Sequence, residues 1–273
     1  MSAPTPITSL TNARVKAAVR LRDRRERTAT GLTLVDGGRE ILRALDAGVA
    51  VAEAFVAPDL VRTPDALAAV GRLRGAAPVI DATPAVLAKV AFGDRSDGVV
   101  AVVRAPARDL DDLDLPPDPL LVVVEGVEKP GNLGAVLRSA DGAGVDAVIV
   151  ADPLTDPFNP NAIRASLGTV FAIPIATATS PAARAWLTAR GVRPIAAIVG
   201  APTRYTDTDL TGPVAVILGS EAAGLTDAWR DGAVQEVSIP MLGAADSLNV
   251  SIAGSVLLYE AVRQRGVTAN PAH

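Results

Sequence analysis

"LLVVVEGVEKPGNLGAVLRSADGAGVDAVIV" (residues 120–150) reads as a buried strand, a glycine turn, a helix and a second buried strand. That order is the repeating unit of a parallel α/β sheet, in which a helix carries the chain back across the sheet face. Pro130, Gly131 and Gly134 permit a tight turn with close backbone approach. Asn132 is placed to cap the helix while presenting its amide. Arg138 follows six residues on, almost two turns into the helix, and is read as lying near the same face. A plain helix cap and a solvated surface cation would explain the same two residues without any ligand.

Two later bends repeat the arrangement. "VAVILGSEAAGL" ends a fully apolar strand with Gly219 and Gly224 on either side of one acid, Glu221. The bland account of Glu221 is an acid at a helix start, favoured by the dipole. "VSIPMLGAADSLNVSIAGSVLLYEAVRQR" runs strand, turn and helix, with Ser247 or Asn249 as cap and Val250, Gly254, Leu257 and Ala261 at helical spacing. A cap on a core helix accounts for that bend too. Three polar bends after strands nevertheless suit an α/β ligand site, because ligands lodge at the carboxyl edge of such sheets. None of the bends is G-x-G-x-x-G or a Walker loop, so no dinucleotide or triphosphate is indicated.

The 273 residues are 49% hydrophobic, enough for buried sheets, and hold no cysteine, which removes disulfides, zinc thiolates and thiol nucleophiles. The sole histidine is the terminal His273, which argues against imidazole catalysis. Aromatics make up 3%, too few for stacking to be the main grip on RNA bases. The start, "MSAPTPITSL", lacks a signal-peptide pattern and no apolar run approaches a membrane span, so a cytoplasmic protein without membrane contact is expected. The net charge of −4 hides an asymmetry: residues 1–105 carry 15 Lys/Arg against 11 Asp/Glu, and the remainder 11 against 19. Between 14 and 27, Arg14, Lys16, Arg20, Arg22, Arg24, Arg25 and Arg27 face only Asp23 and Glu26. Such a run suits a phosphate backbone, although charge runs are commonly solvated helix faces.

The patterns divide the chain into a small α/β domain (1–105), a linker (106–119) rich in proline and aspartate, and a larger α/β domain (120–273). In the first, a helix over 10–27 with Thr11 or Asn12 near its cap precedes alternating strands and helices that end in a strand over 98–104. In the second, strands at 120–124, 146–151, 194–199, 214–218 and 235–239 alternate with helices near 132–143, 160–168, 181–190 and 249–264. This predicts a mostly parallel sheet with helices on both faces.

"GNLGAVLRSA", "ILGSEAAGL" and "IPMLGAADSLNVSIAGSVLLYEAVRQR", in this order, closely resemble the three motifs of the SpoU/TrmH family of RNA ribose 2′-O-methyltransferases, within the SPOUT class. "NPNAIRASLGTVFAIPI" (159–175) resembles the branch acting on ribosomal RNA, and "ITSLTNARVKAAVRL", "GREILRALDAGV" and "GDRSDGVVAVV" resemble the family's substrate-binding domain. "VDGGREI" departs from the usual Val-Glu-Gly there, with Asp36 for Glu. The resemblance implies a deep trefoil knot in the C-terminal domain, an exception to unthreaded connections. It implies S-adenosylmethionine as cofactor, contacted by Leu218, Gly219, Ile239, Met241, Ser247, Leu248 and Val250. It assigns catalytic and substrate roles to Asn132, Arg138, Glu221, Ser247 and Asn249, with no metal. It further implies RNA contacts from the arginines and lysine of 14–27 and from Arg164, and a homodimer through the C-terminal domain, where one subunit's polar residues can complete the other's site. Ribosomal RNA is the expected substrate. Transfer RNA, a non-catalytic RNA-binding protein of the same fold, and a nucleotide-dependent enzyme unrelated to RNA are the alternatives.

Overall fold

The computed structural model describes residues 6–92, 97–230, 232 and 234–266, and the statements below concern those; His273 lies outside them. The chain forms two compact units, Met1–Pro106 with Asp156–Ala172, and Ala107–Thr155 with Ile173–His273.

The first unit runs α1 (Ala13–Arg20), α2 (Arg24–Thr30), β1 (Leu32–Asp36), α3 (Gly38–Asp46), β2 (Val51–Val56), α4 (Pro64–Ala76), β3 (Val79–Asp81), α5 (Pro84–Val90) and β4 (Val99–Arg104). Its sheet has the order β1-β4-β2-β3, with β4 antiparallel to both neighbours and β3 parallel to β2. The helix expected over 10–27 is two helices. Asn12 caps the first by accepting from Arg14 N at 2.9 Å, and Asp23 restarts the second by accepting from Arg25 N at 2.8 Å. An acid that can take over backbone donors in this way favours a cap over a helix interior.

The second half continues with β5 (Leu120–Glu125), α6 (Pro130–Gly142), β6 (Ala147–Ala151), α7 (Pro160–Ala165), β7 (Ile175–Ala178), α8 (Ser180–Ala189), β8 (Arg193–Ala197), β9 (Val214–Leu218), β10 (Gln235–Val237) and α9 (Val250–Arg265). The stretch holding α7 belongs to the first unit, which departs from the reading of 120–273 as one domain. Polar anchors hold it there. Arg27 Nε donates to Asp156 at 3.0 Å, Thr33 Oγ1 to the Phe158 carbonyl at 2.6 Å, and Arg43 Nη1 to the Leu167 carbonyl at 2.6 Å. The expected linker is also packed. Leu113 is 6% exposed within the core of the second unit, and Arg108 bridges to Ala176.

The second unit's sheet has the order β10-β8-β9-β5-β6-β7 and is parallel throughout. β5, β6 and β9 are buried at every residue, as parallel strands covered on both faces must be. β7, absent from the sequence reading, spans four residues directly behind Pro174 and is too short to show a period. Because β5, β8, β9 and β10 all run parallel, their following loops emerge on one edge. On α9, Val250, Gly254, Leu257 and Ala261 are buried as their spacing predicted. A Cβ on Gly254 would come within 2.8 Å of Leu218 Cδ1, so glycine there lets the helix lie directly on β9. No helix among the described residues is long and apolar enough to cross a membrane.

Candidate functional site

A cavity of about 330 Å³ opens at the edge where β8, β9 and β10 end. Volumes of about 300–1,000 Å³ are typical of small-molecule sites. All seven residues assigned to the cofactor line it: Leu218 and Gly219 after β9, Ile239 and Met241 after β10, and Ser247, Leu248 and Val250 at the start of α9. Gly219 is required for a reason different from clearance of a ligand. A Cβ there would sit 2.4 Å from the carbonyl carbon of Gly224 and 2.6 Å from Leu225 N, so the loop closing the cavity could not fold back against the strand. That loop is a tight bend held by Ser220 N to Gly224 O at 3.1 Å and Gly224 N to Ser220 O at 3.0 Å, with Gly224 at φ +69°. Among the described residues, the backbone of 241–248 makes no hydrogen bond, which leaves its N–H and C=O groups free to read a ligand edge.

Asn249 ties the three bends together. Its Oδ1 caps α9, accepting from Ser251 N at 2.9 Å and Ser251 Oγ at 2.6 Å. Its Nδ2 donates to Glu221 Oε1 at 2.5 Å and to Asn132 Oδ1 at 3.3 Å. The cap reading and the site reading of Asn249 therefore both hold, one on each end of its amide. Glu221 begins no helix; it rides the tip of the closed bend, with Lys129 Nζ 3.5 Å from its other oxygen. Asn132 is not the cap of α6 either. The helix starts at Pro130 with Lys129 as its cap residue, so Asn132 lies inside the first turn with its amide unspent on capping. The turn preceding α6 falls at Gly126, φ +61°, while Gly131 and Gly134 lie within the helix.

Arg138 departs from expectation. It is exposed, does not line the cavity, and its side chain makes no hydrogen bond or ion pair among the described residues. At about 100° per residue, six positions fall roughly 120° short of two full turns, so Arg138 and Asn132 point to different sides of α6. The side bearing Ser139 meets α9, with Ser139 Oγ 2.7 Å from Ser255 Oγ. Within one chain, then, Glu221 and Ser247 line the cavity, Asn249 and Asn132 are joined to Glu221 by hydrogen bonds, and Arg138 belongs to neither set.

Three residues were missed. Arg230 and Asp246 are charged members of the cavity wall. Glu125, at the end of β5, is 3% exposed and accepts from Thr226 N at 2.8 Å, Thr226 Oγ1 at 2.7 Å, Trp229 Nε1 at 3.1 Å and the Ser180 hydroxyl. It thereby pins the far end of the bend that carries Glu221. Its sequence signal was an acid closing an otherwise apolar strand, a placement that burial permits only with such partners.

In the first unit, the basic residues expected to meet RNA divide into two groups. Arg27 is 6% exposed, ion-paired to Asp156, and donates to the carbonyls of Leu21 and Arg22 at 2.9 and 2.8 Å; it is a structural post, not a phosphate contact. Arg22 donates to the Lys89 and Ala91 carbonyls at 3.0 and 2.6 Å and lies 5.4 Å from the Phe92 ring centre. Arg164 donates to the Phe92 carbonyl and sits 3.8 Å from Asp36, whose carboxyl burial pushes up to about 6. Arg14, Lys16, Arg20, Arg24 and Arg25 remain exposed, Arg14 pairing with Glu53 at 3.5 Å and Arg20 with Glu26 at 3.3 Å.

Known proteins match both parts of the chain. The SpoU rRNA Methylase family matches residues 119–259, and the MRM3-like substrate binding domain matches 12–101. The chain is 39% identical over 173 residues to a 23S rRNA (uridine(2479)-2′-O)-methyltransferase of Streptomyces viridochromogenes, the match covering 61% of this chain and 60% of that protein. It is 40% identical over 183 residues to a 23S rRNA (guanosine-2′-O-)-methyltransferase of Ralstonia nicotianae, covering 65% of this chain and 74% of that one. The crystal structure of an AdoMet-bound rRNA methyltransferase from Sinorhizobium meliloti is similar over 95% of this chain and 97% of its own, at 31% identity and a TM-score of 0.86. With a parallel sheet, a cavity at its carboxyl edge and motifs matched over half its length, this chain belongs to the SpoU rRNA Methylase family.

Proposed function

We propose that this protein transfers a methyl group from S-adenosylmethionine to a ribose 2′-hydroxyl of ribosomal RNA, in the cytoplasm. Two bends from distant parts of the chain line one cavity, and Asn249 and Lys129 tie the bend before α6 to its rim through Asn132 and Glu221; this convergence carries the reading. The cavity suits the methyl donor. Leu218, Leu225, Ile239 and Leu248 offer an apolar bed for a purine, and the unspent backbone of 241–248 offers donors and acceptors to its edge. The donor supplies an electrophilic methyl on a sulfonium and leaves as a neutral thioether. The protein's task is alignment and removal of one proton. The amides of Asn132 and Asn249 orient the ribose, and Glu221, held between Asn249 and Lys129, fixes that pair.

Arg138 acts in the second subunit's site, which explains a catalytic cation lying away from its own cavity. It takes the hydroxyl proton or stabilises the developing alkoxide; a guanidinium pKa above about 12 favours the second role. The dimer forms on α9. Ile252 and Tyr259, 52% and 53% exposed, lie about two turns apart on this helix as large apolar side chains left uncovered in one chain. The C-terminal helix packs on α6 and β9, in the middle of the sheet, although the chain leaves β10 at its edge. That return path fits a trefoil knot in this unit. Arg14, Lys16, Arg20, Arg24 and Arg25 track RNA phosphates.

Methylation of ribosomal RNA by the purified protein with tritiated cofactor, mapped by mass spectrometry, tests the activity. Failure to label RNA from cells lacking the gene would leave an RNA-binding protein of the same fold. Mixing inactive Arg138→Ala with inactive Glu221→Ala tests the shared site. Random pairing restores about a quarter of the sites if Arg138 serves its neighbour, and none if it serves its own chain.

A further inference from the structure

We propose that Arg230 binds the carboxylate of the methyl donor's amino-acid tail. The inference rests on the assignment of the cavity to S-adenosylmethionine and adds a residue to it. The charged side chains on the cavity wall are Glu221, Asp246 and Arg230. Glu221 is already engaged by Asn249 and Lys129. The Arg230 side chain is exposed, lines the cavity, and makes no hydrogen bond or ion pair among the described residues. Its place is held firmly. The turn Asp227–Trp229 immediately before it is anchored by Thr226 and the fully buried Trp229, both donating to Glu125. A long cation therefore stands at the wall of a cavity with no side-chain partner among the described residues.

The donor carries three charges: a sulfonium, an ammonium and a carboxylate. The wall carries two acids and one cation, an arrangement of opposite sign. Only the carboxylate needs a cation, and Arg230 is the one that lines this wall among the described residues. A planar guanidinium matches a carboxylate through two parallel hydrogen bonds, which a lysine could not reproduce. An RNA phosphate is the competing partner for an exposed arginine, and the test separates the two.

Calorimetry on the full chain compares S-adenosylmethionine with its decarboxylated analogue, which lacks only the carboxylate. Hydrogen bonds to a charged group predict that Arg230→Gln weakens S-adenosylmethionine binding about tenfold to a hundredfold, while the analogue changes less than about twofold. Arg230→Lys falls between, keeping the charge and losing the fork. Equal losses for both ligands, or none for either, overturn the inference. So does a variant with intact cofactor affinity and a raised KM for RNA. Wild-type protein that binds neither ligand overturns the cofactor assignment itself, an outcome distinct from a null effect in the variant.

Discussion

Replacing Glu125 by alanine should unfasten the loop that frames the cavity. The carboxylate is 3% exposed and receives four donors: the Thr226 amide and hydroxyl, the Trp229 indole and the Ser180 hydroxyl. The two hydroxyls can rotate toward other acceptors. The backbone amide and the indole cannot, and each buried donor left unpaired costs about 1–3 kcal/mol. Two such donors give a destabilisation of roughly 2–6 kcal/mol. Glu125→Gln keeps one acceptor oxygen but turns an NH₂ toward donors, and should lose about half as much. Urea unfolding followed by tryptophan fluorescence isolates the effect, because Trp186 and Trp229, the chain's two tryptophans, both belong to the second unit. Cofactor affinity should fall in parallel, since the same loop carries Glu221 and Arg230. A loss below about 1 kcal/mol for the alanine variant, with cofactor affinity unchanged, would refute the reasoning.

Gly219→Ala should abolish cofactor binding and lower stability by about 1–3 kcal/mol, because the new methyl meets backbone atoms of Gly224 and Leu225 that have no room to yield; titration calorimetry and urea unfolding read the two effects. Asn249→Ala removes the α9 cap and should cost about 0.5–2 kcal/mol, together with most of the turnover if the Glu221 contact matters. Asp36 works in the opposite direction. Burial raises its pKa from 3.8 to about 6, so the folded state holds the proton more tightly than the unfolded state, and stability falls as pH climbs from about 4 to 6. The span corresponds to about 3 kcal/mol at most. Asp36→Asn should therefore be the more stable protein at pH 7.5, with the advantage gone below pH 4; thermal unfolding by circular dichroism that shows the variant weaker at pH 7.5 would contradict this.

Much of the site was legible because it is written in local chemistry. Gly219 and Glu221 follow a buried strand and Asn249 caps a helix, and an apolar run that stops at glycine and polar residues marks a sheet edge whatever lies around it. What failed were readings that depend on direction or on distant partners. Arg138 was given the face of Asn132, yet six positions on a helix turn the side chain well away. Arg27 reads as one more surface cation in a basic run, and only the arrival of Asp156 from far along the chain makes it a buried post. The segment Asp156–Ala172 shows the same limit: its helix is plain in the sequence, but its allegiance to the first unit rests on bonds to Arg27, Thr33 and Arg43.

The sequence by itself determined the alternation of strands and helices, the parallel sheet and the three bends, since each follows from hydrophobic period and from residues that cap or break an element. Tertiary structure alone decided which charges are spent and which are free. Glu125, Arg27 and Arg164 became internal fastenings, while the Arg230 side chain was left at the wall of a cavity. The reason is physical. An ionisable side chain takes its role from the groups that share its desolvated surroundings, and those arrive from parts of the chain whose distance in sequence carries no record of their nearness in space.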